Sequence, residues 1–161
     1  MKKIFSLFFV LLMLGACGKK TEPQPNSVEP EAKSMEPIAE NAASYKGSVF
    51  VIYEGKEYET KDIKVTFRKD NESTATISMY KVRFVPKMPV TVDLDLPGVN
   101  YQTKENSYTL SGNNIVPTMG GNPFDKYTAT NLEGTASKDA LSFSLYFGEY
   151  PTRYEGQRIT E

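Results

Sequence analysis

From Tyr45 almost to the end of the chain, apolar and polar residues alternate with a period of two. That is the period of a half-buried β-strand, whose successive side chains point to opposite faces. Ile63, Val65 and Phe67 alternate with Lys64, Thr66 and Arg68, and Ala75, Ile77 and Met79 with Thr76, Ser78 and Tyr80. Val90, Val92, Leu94 and Leu96 alternate with Thr91, Asp93 and Asp95. Leu141, Phe143, Leu145 and Phe147 do so with Ser142, Ser144 and Tyr146. The first strand, around Val49 to Tyr53, is largely apolar on both faces. Shorter strands are predicted at Val99–Tyr101, Tyr108–Leu110 and Tyr127–Leu132, and a last one at Tyr150–Tyr154 with Pro151 at its start or on an edge. Glu54-Gly55-Lys56, Asp70–Ser73, Pro97-Gly98 and Lys138-Asp139 supply turns. Lys81 falls where the next apolar residue belongs, while Val82 and Phe84 sit on the opposite phase, which predicts a bulge or strand break near Tyr80-Lys81. No segment after Ser44 sustains a helical period. About eight or nine short strands, each roughly five to seven residues, predict an antiparallel sandwich or barrel. Closure removes exposed edges and favours the barrel, with Phe67, Met79, Phe143 and Phe147 among the inward candidates.

The first forty-odd residues follow other rules. Lys2 and Lys3 precede an apolar run from Ile4 to Leu14, too short for a membrane-spanning helix, which needs about 20 residues. The composition then turns abruptly polar, the pattern of a secretory signal peptide. Leu14-Gly15-Ala16-Cys17 resembles the lipobox of bacterial lipoproteins. In that family the Cys sulfur receives a diacylglycerol and the chain is cut before it. The resemblance implies a signal peptide over residues 1–16 and a lipid anchor at Cys17. Two or more acyl chains would hold such a protein on a membrane. Residues 17–44 are rich in Pro, Glu, Asn and Ala and have no aromatic residue, so they are expected to stay disordered. A tether of that length averages roughly 30 Å end to end. A folded domain is expected over 45–161.

Composition then narrows the chemistry. The chain carries a formal charge of −1 and has no His, and Cys17 is its one Cys. Imidazole and multi-thiolate metal sites, an internal disulfide and every His-based triad are thereby excluded. No basic stripe marks a nucleic-acid surface, and no polybasic block offers a grip on anionic lipid headgroups. No cofactor is implied.

Within the domain, Tyr45-Lys46-Gly47, Asp62-Ile63-Lys64-Val65, Met88-Pro89-Val90, Leu132-Glu133-Gly134, Leu141-Ser142-Phe143 and Tyr154-Glu155-Gly156 occur in that order. The stretch from Tyr45 to about Gly156 resembles the calycin-like domain of bacterial lipoproteins. The resemblance implies an all-β fold, an antiparallel, eight- to nine-stranded calycin-like β-barrel after a disordered tether. By analogy with lipocalin-type barrels it implies a lumen for a small apolar or amphipathic ligand, and it supplies no catalytic residues. An eight-stranded barrel is just wide enough to be filled by its own side chains or to hold one small ligand.

Candidate sites are few. The loop from Pro117 to Tyr127 would flank a barrel mouth, with Met119, Phe124 and Tyr127 either contacting a ligand or anchoring the loop. Asp93 and Asp95 share a strand face, but a solvent-facing strand explains paired carboxylates without catalysis. Asp70, Asn71 and Glu72 read as turn chemistry rather than a calcium loop. Gly120-Gly121 reads as a flexible loop and lacks the frame of a phosphate loop. Tyr80, Tyr146, Tyr150 and Tyr154 would form a contact surface if strand pairing gathered them. Two function classes follow: a lipid-anchored, noncatalytic barrel that binds a small hydrophobic ligand, or a packed barrel that serves an envelope protein partner as inhibitor or accessory subunit. Lys19 and Lys20 after the anchor favour the periplasmic face of the outer membrane.

Overall fold

The computed structural model describes residues 41–85 and 87–160. Cys17, the leader over 1–16 and the linker up to residue 40 lie outside them. Ten strands follow one another: β1 (Ala42–Tyr53), β2 (Lys56–Lys69), β3 (Thr74–Val82), β4 (Val92–Lys104), β5 (Ser107–Gly112), β6 (Thr118–Met119), β7 (Asn122–Pro123), β8 (Ala129–Ser137), β9 (Ala140–Phe147) and β10 (Tyr150–Ile159). Each of the eight longer strands pairs antiparallel with the next, and β10 pairs with β1, so the sheet closes into a barrel. β6 and β7 form a small hairpin between β5 and β8. It takes over beside β4, with Thr118 opposite Asp95.

Local chemistry explains the connections. Glu54 and Gly55, at φ 49° and 72°, make a two-residue turn between the paired Tyr53 and Lys56. Positive φ at both central positions is what a type I′ hairpin requires. Asn71 Oδ1 accepts the N–H groups of Ser73 and Thr74 at 2.9 Å each, and Asp70 accepts from Arg68 and Thr76. Those residues therefore act as turn chemistry. The expected bulge is present: Met79 opposes Leu94 and Val82 opposes Val92, so Tyr80 and Lys81 face only Asp93. Lys81 sits at φ 56°, and its N–H donates to Asp93 Oδ1 at 2.7 Å.

Three expectations are corrected. Strands reach 14 residues rather than five to seven, for two reasons. The charged stretch Lys56–Asp62 is the first half of β2, because Tyr58 and Thr60 alternate with Glu57 and Glu59 opposite β1. Pro97-Gly98 is a bulge inside one strand rather than a turn, since β4 pairs with β3 on both sides of it, Leu96 opposite Ile77 and Val99 opposite Ala75. Third, Ala42–Ser44 belong to β1 rather than to the linker, with Ala43 buried inside.

The alternation gives two ends. At the proximal end lie Ala42 and the turns 70–73, 105–106 and 138–139. At the distal end lie the turns 54–55 and 148–149 and the longer segments 83–91 and 113–128. The core runs continuously from Ala43 to Tyr154 in sequence and is built from the barrel's own strands and loops, so the barrel is self-sufficient as a folding unit.

Candidate functional site

The barrel's interior is occupied by its own side chains. Three aromatic tiers cross the lumen. At the proximal end Phe67, Tyr101 and Tyr108 form a triangle, with Phe67 6.0 and 5.8 Å from the two tyrosine rings and those rings 5.1 Å apart. Midway, Tyr154 stacks on Phe143 at 5.4 Å. At the distal end Phe84 meets Phe147 at 4.6 Å and Tyr127 at 5.3 Å. Phe67, Phe143 and Phe147 are inward as expected, together with Met79. The polar tips buried among them are satisfied. Tyr45 donates to the Ser137 carbonyl at 2.7 Å and Tyr154 to the Ile63 carbonyl at 3.4 Å. Burial pushes the Tyr45 hydroxyl up to about 12 and raises that of Tyr154 as well. Gly156 makes room for the Tyr154 ring, and Gly47 for the close approach of the β10 backbone. A Cβ on Gly156 would fall 2.2 Å from the Tyr154 hydroxyl oxygen, and one on Gly47 would fall 1.9 Å from the Glu155 carbonyl oxygen.

The distal loop does not leave a mouth open. Tyr127 stacks on Phe84 and Tyr150, and Phe124 packs on Tyr127 at 4.8 Å. A short 3-10 turn, Asp125–Tyr127, brings these two rings together, and the Ile115–Ala129 bridge ties the loop to β8. Phe124 and Tyr127 thus have the geometry of anchors that stopper the barrel. Met119 does not join them: it sits on β6 and is 39 % exposed. Gly120 and Gly121, at φ 58° and 82°, form the tip of that hairpin.

The remaining candidates separate. Asp93 holds the Lys81 bulge and Asp95 accepts from Ser78 at 2.5 Å, so each has a structural partner on the outer face of β4. The four tyrosines do not share a surface. Tyr154 is fully buried and Tyr150 lines the distal rim, while Tyr80 and Tyr146 are exposed on β3 and β9, four strands apart. Among the described residues no cluster of His, Cys, Asp and Glu could hold a metal ion.

Two features escaped sequence reading. The first is polarity along the barrel axis. The exposed large hydrophobic residues among those described are Ile52, Tyr80, Val90, Val116, Met119 and Tyr146, and every one lies in the distal half. On the outer wall there, Phe50, Ile52, Tyr146 and Pro151 line a cleft of about 280 Å³, with the Arg153 guanidinium 4.0 Å from the Phe50 ring centre. The second is a seam between β2 and β3. Their ladder runs from Lys69–Ala75 only as far as Val65–Met79, so the distal half of β2 has no strand partner on that side among the described residues. A cleft of about 230 Å³ opens in the seam, lined by Val51, Tyr58, Glu59, Thr60, Arg83, Phe84 and Val85. A run of alternating residues does not reveal where its pairing stops, and so neither feature was legible beforehand.

Comparison with known proteins agrees with this geometry. No curated relative matches the chain at a significant level. A crystal structure from Bacteroides fragilis NCTC 9343, named "putative outer membrane protein", superposes with a TM-score of 0.51 at 17 % identity, over 72 % of this chain and 50 % of that one. At that identity the likeness concerns the fold, and the chain spans half the length of that protein. Residues 42–153 match the family described as the calycin-like beta-barrel domain. With most of the chain covered and the ladder closed as that description requires, the protein belongs to the calycin-like β-barrel family.

Proposed function

We propose that this protein is a lipid-anchored, noncatalytic interaction module of the bacterial envelope, which presents the distal end of a solid barrel to a protein partner. The observation that carries the reading is the filled lumen, three aromatic tiers deep, combined with exposed apolar side chains at one end only. Ile52 and Tyr146 meet Phe50 and Pro151 in one cleft on the outer wall there, and contiguous exposed apolar surface of that kind marks an interaction site, whereas scattered residues do not. The partner is a protein rather than an anionic lipid surface, because Lys56, Arg83, Lys87 and Lys126 at this end are offset by Glu54, Glu57, Asp125 and Glu149. The lipobox at Cys17 and the name of the Bacteroides structure support a place in the envelope, on the periplasmic face of the outer membrane. A small apolar or amphipathic ligand is the competing occupant, and a lumen site for it requires one tier to move aside.

A photo-crosslinking residue at Val90 or Met119 is expected to capture a discrete protein in cells, and one at Gln102, on the proximal half of β4, to capture none. Equal capture from both positions refutes the reading. Cys17→Ser is expected to release the protein from the membrane fraction. Native mass spectrometry of the barrel is expected to show the bare protein mass, and a small molecule released on denaturation would favour the ligand instead.

A further inference from the structure

The seam between β2 and β3 is a gap in the hydrogen-bonded wall. The two-residue turn makes Tyr53 and Lys56 a hydrogen-bonded pair, and such pairs alternate along an antiparallel ladder. The N–H and C=O groups of Glu57 and Glu59 therefore point away from β1, into the seam. No backbone hydrogen bond joins them to residues 82–85 among the described residues. An unpaired strand edge is a template for another strand. Beside it, Val51, Phe84 and Val85 give the cleft an apolar part among Tyr58, Glu59, Thr60 and Arg83, and its volume of about 230 Å³ lies below the roughly 300–1,000 Å³ of small-molecule sites and is that of a single side chain. Arg83 stands at the lip, exposed, with no ion pair or hydrogen bond to a described residue. The Glu59 carboxylate nearby is already engaged by Ser48 at 2.8 Å and Lys61 at 3.8 Å.

We propose that this seam docks the C-terminal segment of a partner protein, which adds to the edge of β2, places an apolar last side chain in the cleft and sets its carboxylate on Arg83. The mode is β-strand addition, in which main-chain hydrogen bonds give affinity and a side-chain pocket gives specificity. A second copy of this chain is disfavoured at the same edge, since Glu57 and Glu59 would meet their own kind across the new ladder. The proposal rests on the interaction reading and names its partner class, but it does not depend on the apolar end. Capture at Val90 or Met119 can fail while the seam still binds.

The test uses residues 34–161 labelled with nitrogen-15 and an acetylated pentapeptide that ends in leucine with a free carboxylate. Saturable shifts at Glu57, Glu59 and Phe84, with slower hydrogen exchange at the Glu57 and Glu59 amides, are expected. Arg83→Gln and the C-terminal amide form of the peptide should each weaken binding about tenfold, the loss of one charge-assisted hydrogen bond. Glu59→Pro, which removes an N–H that β1 does not use, should abolish the shifts, and Arg83→Gln remains decisive if that variant fails to fold. Octanoate should leave the exchange at Glu57 and Glu59 unchanged. Octanoate binding as tightly as the peptide would make the seam a small-acid site and overturn the proposal. So would undiminished binding to Arg83→Gln, or no saturable shift at millimolar peptide.

Discussion

Phe84→Ala tests whether the lumen is solid. Phe84 is fully buried and meets Phe147 at 4.6 Å and Tyr127 at 5.3 Å, so its ring closes the distal tier. Truncating a buried Phe to Ala costs about 3–5 kcal/mol when the surroundings cannot collapse. A barrel of roughly 120 residues unfolds with an entropy near 0.25 kcal/mol/K, so that loss lowers Tm by about 12–20 °C. At about 0.05–0.15 kcal/mol per residue the total stability is roughly 6–18 kcal/mol, enough for the variant to stay folded at 25 °C. The void left behind is on the order of 100 Å³ and apolar, and it should take up xenon or benzene, which the parent protein should exclude. Thermal denaturation followed by circular dichroism measures the first effect, and xenon-induced shifts in methyl resonances measure the second. A Tm loss below about 4 °C, or xenon uptake by the parent at the same level, would mean that the tier has spare room. The solid-barrel reading would then fall, and the lumen would again be the leading site.

Other consequences follow from the same packing. Gly47→Ala should destabilise by more than about 3 kcal/mol in urea unfolding, because the new Cβ falls on the backbone of Glu155 and Gly156 rather than on a movable side chain; a loss under about 1 kcal/mol would place β1 and β10 farther apart than described. Stability should decline above pH 10, since burial holds the Tyr45 proton up to about 12 while the unfolded chain releases it near 10. Between those values the unfolded state binds fewer protons, so rising pH favours it, by about 2–3 kcal/mol for Tyr45 at pH 12. Tyr45→Phe should flatten that slope, and an identical slope in the variant would refute the assignment. Asp93→Ala should cost about 1–2 kcal/mol through the lost bond to the Lys81 N–H, and Asp93→Asn, which keeps an acceptor, clearly less. Equal losses in the two variants would show that the carboxylate charge, not the bulge contact, is what matters.

How much was legible beforehand depends on the range of the interaction. Phe143 and Phe147 could be placed inside from alternation alone, because a strand with one buried face must repeat every second residue. The Tyr80-Lys81 bulge was equally visible, since a phase slip in the pattern is a local signature. Glu57 to Lys61 hid a strand behind its charges, because the residues that bury it, on β1, lie across a turn whose geometry only pairing reveals. Tyr154 looked like the other tyrosines until Gly156 left space for its ring inside the wall. Met119, Phe124 and Tyr127 were grouped by sequence proximity, and a single 3-10 turn sends the two rings inward and leaves Met119 outside. The sequence by itself determined an all-β domain, in a chain with no His or Cys pair for metal or triad chemistry. Whether the barrel is hollow, which end is apolar and where its wall stands unpaired were decided only by the tertiary structure. Those properties depend on which strands meet and how far their ladders run, and a period of two is the same in every register.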